Sequence, residues 1–183
     1  MKREHRNRSG QAYALTVLTP ILAEEVSALA AHLDTFGSED ASPLARLAAT
    51  HFARWVIIED VVYEGGRQRR DALKASRLLF TSNFDGPLDA YLEAMRTDLG
   101  DDADAVWGHC AGYPGRADAA AFAAYFRNHQ AECALFFGAY GDRTVAQVRD
   151  DLARRTRLIE FAMAAQGLPA AELQARFQAE FPA

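Results

Sequence analysis

The chain has 183 residues, half of them hydrophobic, and a net charge of −5. That length suits one domain with a substantial core, and the acidic balance argues against broad nucleic-acid affinity. Two cysteines, Cys110 and Cys133, without CxxC spacing, give no disulfide framework and fit a reducing compartment.

The longest apolar runs fall far short of the roughly 20 residues that cross a bilayer, and the first ten residues lack the apolar centre of a signal peptide. The expectation is a cytoplasmic protein with neither nucleic acid nor membrane as partner. Lys2, Arg3, Arg6 and Arg8 make residues 1–10 a basic tail, expected to be disordered. Tyr13 to Thr19 predicts a first strand, closed by Pro20, which supplies no ladder donor. Leu22, Val26, Leu29, Leu33 and Phe36 then fall on one helical stripe, with Glu24, Glu25 and Asp34 off it and Gly37 as a stop. Ser42-Pro43 opens a loop with one helical turn.

Thr50 to Ile58 reads as the second strand, dense in apolar residues, with 60–63 as a hairpin arm beyond it. Residues 64–76 hold Gly65-Gly66 and the basic group Arg67, Arg69, Arg70 and Lys74, so they form an exposed connection. Leu78 to Phe84 is the third strand, after which Asp85 or Gly86 can cap a helix with Pro87 in its first turn. Its buried stripe is Leu88, Tyr91, Leu92, Met95 and Leu99, and Gly100 ends it. Residues 104–113 leave two readings, a strand opening at Ala105 or a helical turn capped by Asp101. Pro114-Gly115 breaks the chain, and Asp118 to His129 forms a helix with Phe122, Tyr125 and Phe126 on one side. Cys133 to Tyr140 is the candidate last strand. Thr144 with Gln147 marks a capping box for a helix striped by Val145, Val148, Leu152, Ile159 and Met163, and after Gly167 Pro169 opens a final helix.

This order predicts an α+β fold: a ferredoxin-like split βαβ antiparallel sheet with helices on one face and extra C-terminal helices. The expected division is a tail over 1–10, a single domain over 11–166 and a helical extension over 167–183. A second sheet face remains to be covered, so a homodimer is expected by fold analogy.

Strand alternation sets Phe52, Arg54, Val56 and Ile58 on one face and His51, Ala53, Trp55 and Ile57 on the other. A guanidinium inside an apolar strand needs a carboxylate, an anionic ligand or an aromatic ring. Thr81, Asn83 and Asp85 share one face of the third strand, which makes Asp85 the structural partner expected for Arg54, with anion binding as the other reading. His51 is a candidate base or ligand, although no HxH or HxxxH spacing accompanies it. His109, flanked by Gly108 and Cys110, is another, and adjacency alone does not aim it at the thiol. His129 reads as a helix-end residue favoured by the dipole. Tyr13, Tyr113, Tyr125 and Tyr140 read mainly as aromatic packing, with hydroxyls able to line a pocket.

At Thr50-His51-Phe52-Ala53-Arg54-Trp55, at 78–86 and at 107–114, the chain resembles a group of bacterial proteins associated with the dimeric α+β barrel superfamily. The resemblance runs from about Tyr13 to Ile159. Superfamily relatives include the haem-binding dye-decolourising peroxidases and chlorite dismutases, besides monooxygenases and isomerases of small aromatic substrates. Asn83-Phe84-Asp85-Gly86 is similar to the peroxidases' GxxDG signature, whose aspartate acts with an arginine on peroxide at the distal haem face, except that Ser82 stands where the leading glycine would be. The resemblance implies Asp85 and Arg54 in that role and His51 or His109 as axial ligand.

The expected function is a small-molecule-binding dimer, in its sharpest form a haem-dependent peroxidase-like oxidoreductase. His51, Arg54 and Asp85 would be catalytic; Asn83, His109 and Tyr113 would bind the ligand, with no separate metal site. The alternative is a non-catalytic binding or assembly module that contacts a protein partner through the basic tail and loop or the final helices.

Overall fold

Three nine-residue strands build the sheet in a computed structural model that describes residues 6–37, 42–61, 65–66 and 72–182. They are β2 (Ala12–Pro20), β3 (Thr50–Ile58) and β4 (Arg77–Asp85), and with the two-residue β1 (Arg8–Ser9) they form an antiparallel sheet in the order β1-β2-β4-β3. The protein is therefore an α+β mixture. In β2, Ala12 lies opposite Asp85 and Pro20 opposite Arg77, so Pro20 stands at the strand end, where its missing N–H costs least.

Alternation sends Tyr13, Leu15, Val17 and Thr19 of β2 and Leu78, Phe80, Ser82 and Phe84 of β4 to a buried face. Trp55 of β3 joins them there. The helices cover that face. α1 (Val26–Asp34) brings Leu29, and α2 (Leu88–Ala94) brings Tyr91 and Leu92. α2 widens into a π turn over Met95–Leu99, and Gly100 with φ 57° turns the chain into α3 (Asp101–Trp107). Residues 104–113 thus start as helix rather than strand. α4 (Ala119–Asn128) begins at Asp118, whose carboxylate accepts from the N–H groups of Ala120 and Ala121. Trp107, fully buried, meets Trp55, Phe80 and Phe126 edge to face.

Two expectations change. Cys133 to Tyr140 forms no strand. The outer edge of β2 is taken by β1 and by an isolated bridge from Gln130 to Val17, and the chain beyond it bonds to side chains instead of a ladder. Cys133 N–H donates to Asn7 Oδ1, and Gly138 N–H to Ser9 Oγ. The basic tail is ordered from residue 6 onward, with Asn7 buried and Arg8–Ser9 paired, while residues 1–5 lie outside the described set. Residues 62–63 of the hairpin arm expected over 60–63 lie outside it as well. Where β1 turns into β2, Gly10 sits at positive φ against Gly141, and a Cβ on either glycine would overlap the backbone of the crossing segment.

Contacts separate the chain into residues 1–145 and 146–183. Sequence reasoning places the long helix with the sheet up to residue 166, whereas α5 (Val145–Ala164) groups almost entirely with α6 (Ala170–Glu180). Within this second unit, Phe161 packs edge to face on Phe177 and Phe181, Arg157 lies over the Phe181 ring, and a cleft of about 470 Å³ opens beside Phe161 and Arg176.

Candidate functional site

The register of β3 on β4 slips between Thr50 and Phe52, so His51 is an extra residue with no partner of its own in the ladder. Such a bulge re-aims a side chain. Here it brings His51 Nε2 to 2.8 Å from Asp85 Oδ1, with side-chain exposures of 21% and 14%. The other carboxylate oxygen of Asp85 accepts from the N–H of Val145 at 2.6 Å, the first residue of α5, and the Asp85 N–H donates to the Ala49 carbonyl. Asp85 therefore serves Val145 and not α2, whose first turn follows Pro87 without a side-chain cap. One carboxylate holds both the imidazole and the Val145 N–H.

Arg54 is not its partner. The Arg54 Nε–H donates to Thr81 Oγ1 at 3.2 Å, its direct neighbour across β4, and the guanidinium stays exposed to water. Thr81 and Asp85 are four residues apart on one face of the strand, about 13 Å, which the side chain does not bridge. The arginine solves its solvation problem by facing solvent, so no buried ion pair is needed. Asn83 shares the open face, opposite Ala14 and next to Phe52 in the register.

Directly behind the bulge lies a network that sequence reasoning did not single out. Tyr91 hydroxyl is 2.6 Å from Ser82 Oγ and 2.9 Å from Thr50 Oγ1, and its ring stacks on Phe84 with centroids 3.7 Å apart. Burial pushes the Tyr91 phenol above its ordinary range, and the bonds to Ser82 and Thr50 offset part of that. The signal was present in β4: Ser82 is a hydroxyl at a core-facing register position between Phe80 and Phe84, and such a group needs a buried partner.

His109 and Tyr113 lie elsewhere. His109 Nδ1 is 2.7 Å from Glu25 Oε2, and the His109 carbonyl accepts from Leu22 N–H. That places it beyond the Pro20 end of β2, about 25 Å of strand from Asp85. Tyr113 donates its hydroxyl to Asp104 Oδ1 at 2.8 Å, and Arg116 donates backbone and guanidinium N–H groups to the same carboxylate. Burial first, and Asp104 second, push the Tyr113 phenol upward, which suits a structural hydrogen bond. Cys110 is buried with Thr19 Oγ1 donating to its sulfur, and burial raises the thiol pKa, the reverse of an activated nucleophile.

Among the described residues, no group of three or more His, Cys, Asp or Glu side chains is placed to hold a metal ion. The residues also do not fit a haem. Asp85 has both oxygens engaged, His51 directs Nε2 at that carboxylate, Arg54 faces solvent on Thr81, and His109 is at the opposite end of the sheet. No family model, curated protein or solved structure matches the chain.

Proposed function

We propose that the protein is a non-catalytic binding and assembly module that pairs with a second copy of itself across the open face of its sheet. The observation behind this reading is Phe52, which stands 77% exposed in the middle of a strand, with Val56 and Leu18 also exposed on that face. A sheet with one face in the core and apolar side chains on the other is the arrangement that association covers. The strand order supports the ferredoxin-like reading that motivates the homodimer: β4 lies between β2 and β3, which α1 connects, and Gln130 bridges β2 where a fourth strand would run. Two free thiols agree with a cytoplasmic setting.

The test is sedimentation equilibrium of the full chain at micromolar concentration. The wild type is expected to be dimeric and Phe52→Ser with Val56→Ser monomeric and folded. A wild type that stays monomeric overturns the reading, and so does a Soret band on haem addition that His51→Ala removes. A second reading rests on the His51–Asp85 pair alone, since an imidazole oriented by a carboxylate is what a general base needs. Hydrolytic or isomerase turnover lost in His51→Ala, with the dimer intact, would favour it.

A further inference from the structure

We propose that residues 133–143, with the basic N-terminal stretch to which they are pinned, form an attachment surface for anionic lipid bilayers. Leu135, Phe137 and Tyr140 are 85%, 79% and 78% exposed, among the most exposed large apolar side chains described. They belong to a segment that is held rather than loose. Asn7 Oδ1 accepts from Cys133, Ser9 Oγ from Gly138, and the Gly141 and Asp142 carbonyls accept from the backbone and side chain of Gln11. The pins fix the backbone on the β1–β2 hairpin and leave three prongs projecting.

Exposed apolar area is unfavourable in proportion to its extent, so three such prongs call for a non-aqueous surrounding. Their charge environment selects which one. Arg6, Arg8 and Arg143 are exposed on the same N-terminal stretch and segment, against Glu132 and Asp142, in a chain whose overall charge is −5. Aliphatic and aromatic prongs beside basic side chains match the acyl boundary and the phosphate layer of an anionic membrane. A protein hot spot is instead a packed, centred cluster that fills pockets. No described helix is long and apolar enough to cross a membrane, so this attachment is peripheral.

Sedimentation of the full chain with phosphatidylcholine vesicles containing about 30 mol per cent phosphatidylglycerol, against phosphatidylcholine alone, tests the proposal. Wild type is expected to bind the anionic vesicles about tenfold better, and the triple variant Leu135→Ser, Phe137→Ser, Tyr140→Ser to lose about tenfold or more. Arg6→Gln with Arg143→Gln is expected to reduce the preference for anionic lipid while leaving the prongs. Circular dichroism confirms that each variant is folded. No binding by the wild type, or binding that the triple variant retains, overturns the proposal. So does a wild-type oligomer that the triple variant dissociates without lipid, which would assign the prongs to a contact between copies. Phe52→Ser leaves this surface intact, so failure of the sheet-face dimer and failure of lipid attachment are read separately.

Discussion

On one face of the sheet, Trp55, Phe80 and Phe84 meet Trp107 and Tyr91 ring against ring; one residue along the same strands, Phe52, Arg54 and Thr81 meet water. Composition does not separate the two faces, because each carries aromatic and polar side chains. Exposure to water does. On the buried face the hydroxyls of Ser82 and Thr19 are hydrogen-bonded within the protein, and the indole N–H groups of Trp55 and Trp107 lie buried without a partner among the described residues, while on the open face Arg54 needs only one hydroxyl and solvent. The contrast teaches that a polar residue among apolar neighbours points to chemistry only when it is withdrawn from water.

The largest effect that can break this contrast is expected from Trp107→Ala, which removes a fully buried ring at the junction of helix and sheet and should cost about 3–5 kcal/mol in chemical denaturation. An alkaline titration comes next. Burial raises the pKa of Cys110, Tyr91, Tyr113 and Tyr125, so the native state favours the protonated groups. Stability is then complete below the ordinary thiol and phenol values of about 8.5 and 10, and falls as pH rises through them, because the unfolded chain ionises first. Tyrosinate absorbance from these three phenols should appear together with loss of the near-ultraviolet circular dichroism, and titration ahead of unfolding would refute their burial.

Asp85→Ala is expected to cost about 1–3 kcal/mol, since it strips the carboxylate from both His51 and the Val145 N–H. His51→Ala should cost less, because Asp85 keeps the Val145 N–H. The smallest effects belong to the open face, where Arg54→Ala and Phe52→Ala should each change monomer stability by no more than about 0.5 kcal/mol. A large loss at Arg54 would mean that it serves a buried partner after all.

Much of the framework was legible because punctuation and periodicity agreed. Pro20 and Gly100 stop elements where expected, α1 ends at Asp34, three residues before Gly37, and Thr50–Ile58 is a strand to the residue. The site was less legible for a local reason: counting alternation through β3 assumes an unbroken ladder, and the slip at His51 gives Asp85 to the imidazole instead of Arg54. Cys133–Tyr140 has strand-like composition, yet a strand needs a free edge, and β2 had already been paired by β1 and Gln130. Tyr91 was visible only as one apolar position of a helix, since its bonds to Ser82 and Thr50 join residues that only the tertiary fold brings together.

The crossing of Gly10 and Gly141 carries a practical consequence for anyone labelling or tagging the molecule. Two backbones lie there without room for a methyl group, and distant stretches of polypeptide are interlocked like hook and eye. An insertion of even one residue between Ser9 and Gln11 would pull the hook from its eye and release the stretch leading into α5.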